Sequence, residues 1–127
     1  MGATFVARGF SARIPHLTNL IVEGIKHNGF ALIDVLQPCV SFNYQNTYSW
    51  YNSRVYPLEE EEGYDPGNQL TAFKKAQEWG DKIPIGIIYR SDRITYESQI
   101  PAFKLGPLVK QVHNPLKIAG LLEEFIP

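Results

Sequence analysis

The sequence predicts an α/β fold, a partial parallel sheet with flanking helices, on two observations. Two nearly continuous apolar runs, Thr4 to Ala7 and Phe30 to Leu36, enclose a stretch whose apolar residues recur at spacings of three and four. Runs without polar alternation suit strands covered on both faces, which is the usual state of strands in a parallel sheet. Strand, helix and strand in that order form a right-handed crossover, the βαβ unit.

Each element carries its own punctuation. Thr4-Phe5-Val6-Ala7 reads as the first strand, followed by a loop holding Arg8, Gly9 and Ser11. Pro15 suits the first turn of a helix, and Leu17, Leu20, Ile21, Gly24 and Ile25 keep helical spacing. Lys26 and His27 fall in its last turn, where donors meet unpaired carbonyls, and Asn28-Gly29 tolerates a left-handed stop. Pro38 blocks continuation of the second strand, leaving Cys39 just outside its carboxyl end, where open α/β sheets place their ligands. A short helix is expected around Tyr48 to Arg54. Another follows Asp65-Pro66, with Leu70, Phe73, Ala76, Gln77 and Trp79 on its face and Gly80 as its stop. Ile83 to Tyr89 reads as a third strand, with Pro84 confining its beginning to an edge or to the first residue. Pro101, Gly106 and Pro107 interrupt any long periodicity between Arg93 and Gln111, so this arm is expected to be irregular. Asn114-Pro115 opens a final helix with Ile118, Leu121, Leu122 and Phe125 on one face.

A chain of 127 residues has room for one domain of ordinary size. Residues 1–43 form its βαβ core and strand-end loop, and residues 44–127 a C-terminal extension. Apolar residues at 44% and charged residues at 20% are ordinary globular usage. Twelve basic and thirteen acidic side chains, a net charge of −1, leave no electrostatic footprint for nucleic acid. No apolar stretch is long enough to span a bilayer and the N-terminus lacks a secretory pattern, so the cytoplasm is expected, without a membrane partner. Three short strands would make a meagre sheet, and the first begins almost at Met1 with nothing before it to cover its other side. An upstream segment is therefore expected, with the apolar face of Thr4 to Ala7 exposed or buried in a dimer.

Gln37-Pro38-Cys39 is where a reactive atom, a rigid residue and a sheet mouth coincide. A lone cysteine is either a small packed hydrophobe or a reactive or ligating thiol, and the residues alone leave both open. It cannot form an internal disulfide, and it offers no spaced pair for a self-contained metal site. His16, His27 and His113 read as surface or capping residues. Asp34, inside an apolar strand, is either a buried acid or a hydrogen-bond partner of a neighbour, the second being the simpler reading. The run Glu59 to Glu62 reads as a solvated loop. Gly9, Gly24 and Gly29 match no phosphate-binding or dinucleotide-binding fingerprint.

The runs GATFVARGFS (Gly2 to Ser11), HLTNLIVEGIKHNGFALIDVLQPCVSFN (His16 to Asn43), NTYSWY (Asn46 to Tyr51) and WGDKIPIGIIYR (Trp79 to Arg90) closely resemble successive blocks of a known family. It is that of the β subunits of 2-oxoacid:ferredoxin oxidoreductases, with the same order and spacing. The similarity weakens from Asp92 to Pro127. The resemblance implies the C-terminal half of a thiamine-diphosphate-binding subunit. In the family, thiamine diphosphate and magnesium bind through a GDG-containing motif in the N-terminal half, and that motif is missing from these residues. Three cysteines of that half hold a 4Fe-4S cluster, joined in the smaller two-subunit members by a fourth from the loop that Leu36-Gln37-Pro38-Cys39 resembles. The resemblance thus implies Cys39 as a metal ligand, and no catalytic residue in this chain. It further implies oxidative decarboxylation of 2-oxoacids to acyl-coenzyme A, with electrons leaving through the cluster to ferredoxin. The N-terminal half of the β subunit and an α subunit would be the partners. A split gene, a truncated frame and a cloned fragment all fit that pattern. The alternative is a non-catalytic remnant or interaction module that keeps the fold and binds no cluster.

Overall fold

The computed structural model describes residues 2–112 and Gly120. The chain divides into two compact units, Met1–Thr95 and Tyr96–Pro127. In the first, β1 (Phe5–Phe10), α1 (Ile14–Lys26), β2 (Ala31–Leu36), α2 (Tyr48–Asn52), β3 (Val55–Pro57), a 3-10 turn (Leu58–Glu60), α3 (Gln69–Ala76) and β4 (Ile83–Arg90) follow in order. In the second, the described residues form 3-10 turns at Glu97–Gln99, Pro101–Leu105 and Leu108–Lys110, in keeping with an irregular arm. The helix expected after Asn114-Pro115 lies outside the described residues. Among the described residues no helix is long and apolar enough to cross a membrane.

The four strands lie in the order β2-β1-β4-β3. The βαβ unit is present: β1 and β2 run parallel, in unbroken register from Phe5↔Ala31 to Phe10↔Leu36. The sheet as a whole is mixed, not purely parallel. β3 and β4 form a second parallel pair, and the two pairs meet along an antiparallel seam between β1 and β4. β3 has three residues and ends in proline, too little periodicity to be read in advance. β4 is an inner strand, but its beginning is an edge on one side, as Pro84 led one to expect, because β1 pairs with β4 only from Gly86 to Arg90. The missing N–H of Pro84 therefore falls beyond that ladder.

Two glycines let α1 settle on the sheet. A Cβ on Gly9 would lie 2.6 Å from Leu17 Cδ1, and one on Gly24 would lie 3.0 Å from Ile33 Cδ1. Beneath the helix Phe5, Ala7 and Leu20 form a buried cluster, and across the sheet Leu58, Ala72 and Ile88 form another. Thr4, Phe5 and Ala7 are thus buried within this chain, and the expected open face along Thr4 to Ala7 is not found. The reason is that α1 covers the face of Phe5 and Ala7 through Leu20, while β4 pairs with the free edge of β1.

The acidic run is only partly solvated. Glu61 pairs with Lys75 at 2.7 Å, and Glu78 pairs with the same ammonium at 2.9 Å. Lys75 Nζ also donates to the Tyr56 hydroxyl at 3.1 Å, and that hydroxyl donates to Glu78 at 2.6 Å. This cluster ties α3 and the acidic loop to β3. Burial, reinforced by the Glu78 carboxylate, pushes the Tyr56 phenol up to about 12. For Lys75, burial works against the charge, but bonds to Glu61, Glu78 and Tyr56 prevail and hold the ammonium above the ordinary lysine range. Burial likewise opposes the Glu78 charge, and the donors Tyr56 and Lys75 outweigh it, keeping the carboxyl below its ordinary range.

Packing and charge make separate demands on stability. Phe5→Ala empties a fully buried site and should cost about 3–5 kcal/mol in urea unfolding. Leu70→Ala, at a side chain 66% exposed, should change stability by no more than about 0.5 kcal/mol. An unfolded chain releases the Tyr56 proton near pH 10 and the folded chain near about 12, so stability should fall as pH rises through that window. Tyr56→Phe should flatten this alkaline slope, as read from unfolding midpoints across the pH series. Lys75 adds to the loss in the same direction, above the ordinary lysine range. The share held by Glu78 is lost at the acid end, as pH falls through its lowered folded value.

Candidate metal-ligand loop

The loop after β2 is anchored at both ends. Leu36, the last residue of β2, joins Phe10, Val55, Ile83 and Ile85 in a buried cluster at the sheet mouth, against which Trp50 and Tyr51 of α2 pack. Phe10 also meets the rings of Tyr48 and Tyr51 at 6.1 and 5.6 Å. At the far end the Thr47 side chain accepts from Trp50 N and starts α2.

Between these anchors the chain braces itself. Phe42 N and Asn43 N donate to the Cys39 carbonyl at 3.1 and 2.9 Å. The Asn43 side-chain oxygen accepts from Gln45 N and Asn46 N, both at 3.0 Å, while its amide donates to Asn46 Oδ1 at 3.0 Å. Tyr44 donates its hydroxyl to the Ser41 carbonyl at 3.2 Å. None of these bonds uses the N–H of Val40 or Ser41. Pro38 is buried, whereas Cys39 is exposed. Of the two roles left open by the residues, the packed small hydrophobe is therefore not the one adopted. The bracing function of Asn43 is not apparent from the sequence, although Asn-Tyr-Gln-Asn is a recognisable local turn signal.

The other candidates have their own partners. His27 caps α1, with Nε2 2.8 Å from Thr4 Oγ1 and its ring 5.4 Å from that of Phe5. His16 Nε2 lies 3.4 Å from Glu59 Oε2. His113 lies outside the described residues. Asp34 is exposed and accepts from Arg8 Nε at 2.9 Å, the two residues being register partners in β1 and β2. Arg8 thus belongs to the strand and not to the loop after it. Its guanidinium also donates to the Ala76 carbonyl and lies 5.7 Å from the Trp79 ring centre. Among the described residues no three His, Cys, Asp or Glu side chains converge as a metal site. An exposed thiol on a loop braced by Asn43 is chemically able to serve as a metal ligand.

Known proteins resemble this chain in sequence and in fold. Residues 39–105, more than half of the chain, match the family model that describes the C-terminal part of the pyruvate ferredoxin oxidoreductase beta subunit. Similar curated proteins include the 2-oxoacid:ferredoxin oxidoreductase subunit beta of a Sulfolobus species, 45% identical over 80% of this chain and 36% of the relative. The subunit of the same name from Saccharolobus solfataricus is 43% identical over 78% of this chain and 36% of its own length. A solved 2-oxoglutarate:ferredoxin oxidoreductase from Magnetococcus marinus, holding 2-oxoglutarate, coenzyme A and succinyl-CoA, superposes with a TM-score of 0.75 at 29% identity. The match covers 94% of this chain and 40% of that one. The chain therefore spans about a third of the length of the curated relatives it matches. With a mixed α/β fold and a matched stretch that begins at Cys39 itself, the chain belongs to the family defined by the C-terminal region of pyruvate ferredoxin oxidoreductase β subunits.

Proposed function

We propose that this chain is the part of a 2-oxoacid:ferredoxin oxidoreductase β subunit that donates one thiolate, from Cys39, to a 4Fe-4S cluster. The observation that carries the reading is the exposed thiol at the carboxyl end of β2, on a loop braced by Asn43. Thiolates are the usual ligands of such clusters, and ligand sites of open α/β sheets lie beyond the strands' carboxyl ends. The N–H groups of Val40 and Ser41, which take no part in the bracing, are suited to donate to the sulfur. Such bonds would favour the reduced, more negative cluster and raise its potential.

The remaining ligands, thiamine diphosphate and its magnesium belong in this reading to the N-terminal part of the β subunit, and the enzyme is completed by an α subunit. The assembled protein would oxidise 2-oxoacids to acyl-coenzyme A and pass electrons to ferredoxin in the cytoplasm, with thiamine diphosphate and the cluster supplying decarboxylation and one-electron transfer. The work of this chain's own residues is to hold and expose a sulfur, to orient it through the Cys39 carbonyl and Asn43, and to offer it backbone donors. The 2-oxoglutarate and coenzyme A bound by the Magnetococcus marinus enzyme support the class of reaction proposed.

The test is assembly with the N-terminal part and the α subunit under anaerobic conditions, followed by visible absorption. The expected result is a cluster band that Cys39→Ala abolishes. A band unaffected by that substitution, or none at all with the intact chain, would sink the proposal, the second result favouring a remnant. Ser41→Pro removes one donor and should lower the cluster potential; an unchanged potential would count against the backbone role.

A further inference from the structure

We propose that the Phe42 side chain lies against the cluster bound at Cys39, keeping water from that corner of it and holding its potential down. The inference rests on the reading of Cys39 as a cluster ligand. It adds to that site a residue that tunes it.

The two residues share one turn. The Cys39 carbonyl accepts from both Phe42 N and Asn43 N, which closes a single turn of helical type over residues 40–42. Among the described residues no non-glycine has a positive φ, so the turn is right-handed. Cys39, whose carbonyl takes the first bonds, stands at the cap of the turn, and Phe42 is the third residue after it. That is the spacing at which a cap side chain and the residue beyond it reach toward one another, and at which Cβ atoms on a helix surface lie about 5–6 Å apart. A group bound to the sulfur therefore meets the phenyl ring.

The loop itself has no use for that ring. Phe42 is 88% exposed, on a segment whose polar neighbours each have a bond to make. Asn43 accepts from Gln45 N and Asn46 N, Tyr44 holds the Ser41 carbonyl, and Thr47 starts α2. Phe42 enters this bracing through its backbone N–H alone, so a small polar side chain at the same place would leave every one of these bonds intact. A ring needed only to fill the surface of another polypeptide could stand anywhere on the loop. Here the turn ties it to the residue that carries the sulfur.

The electrostatic consequence has a definite sign. Reduction adds a negative charge to a group that its thiolates already make anionic, and an apolar neighbour solvates that extra charge less well than water does. The ring therefore lowers the potential, against the lift given by the N–H groups of Val40 and Ser41. One short loop carries both means of adjustment, donors on its backbone and burial from a side chain. An apolar wall beside the metal also slows the entry of water and of solutes that strip iron.

The assembled enzyme should be prepared anaerobically from this chain, the N-terminal part and the α subunit, with Phe42→Ala, Phe42→Gln and Phe42→Leu beside the parent. Two quantities are then followed: the redox titration of the cluster band, and the rate at which a water-soluble iron chelator bleaches it. Phe42→Ala and Phe42→Gln should raise the ratio of reduced to oxidised cluster at a set potential by at least about threefold, and should speed bleaching by a similar factor. Phe42→Leu, still apolar, should stay close to the parent. The unfolding midpoint of the lone chain should hold in all three, because the ring is exposed there. Parent-like values for Phe42→Ala, with Cys39→Ala still abolishing the band, would overturn the role of Phe42 and leave Cys39 as a ligand. Assembly lost with Phe42→Ala would overturn it as well, marking the ring as a contact between polypeptides. A band that survives Cys39→Ala removes the ligand reading itself, and the role of Phe42 falls with it.

Discussion

β1 is the strand on which the first unit is built, and its pairing on both sides is the constraint that everything else obeys. β2 lies parallel to it and β4 antiparallel, so Phe5 and Ala7 are directed beneath α1 while Arg8 faces α3. A slip of one residue in the ladder would exchange those faces, setting a guanidinium under α1 and exposing a phenylalanine. Gly9 of the strand admits Leu17 of the helix, and Gly24 of the helix admits Ile33 of β2, so α1 has one seat. The same register, ending at Phe10↔Leu36, fixes where β2 stops and hence where the loop of Cys39 begins.

The antiparallel seam needs local compensation, and the acidic segment provides much of it. Register shifts between Val6↔Tyr89 and Ala7↔Ile87, which leaves Ile88 as the extra residue of a β-bulge. Its carbonyl, freed from the ladder, accepts the hydroxyl of Tyr64. Gly86, at φ +124°, lies where a Cβ would stand 2.8 Å from Glu59 Oε1, so the glycine lets that carboxylate lie against the strand and reach His16. Glu61 meanwhile holds Lys75, which brings α3 against the bulged strand's neighbour. The loop between β3 and α3 thus works as a clamp on the one irregular place in the sheet.

The parts legible in the sequence are those with a period. Leu17, Leu20 and Gly24 announce α1, and the run ending at Leu36 announces β2, because burial on one helical stripe or on a whole strand leaves a pattern in residue type. β3 is not legible, since Val55-Tyr56-Pro57 becomes a strand only by pairing with Ile83, Pro84 and Ile85. Arg8, taken singly, reads as a loop residue, and Asp34 as an acid bonded to a neighbour that the sequence does not name. Their partnership depends on strand register, which no single segment contains. For Cys39 the residues leave packing and exposure both open, with packing the commoner state of a lone cysteine. What decides between them is Pro38 turning inward and the Asn43 brace holding the following residues clear, both of which are tertiary facts.

An open edge and an exposed thiol on one segment have a common physical origin. If β2 were shielded by a charge, a proline or a helix of this chain, as isolated sheets usually are, the loop leaving its carboxyl end would be drawn under the same cover and Cys39 with it. Instead the strand keeps the composition of an interior one, and its one charged side chain is spent on Arg8. The loop is stiff at its base, through Leu36 and α2, and bare at its tip. Rigidity without cover suits the role proposed for Cys39: a sulfur already held in place would lose little conformational entropy on becoming a ligand.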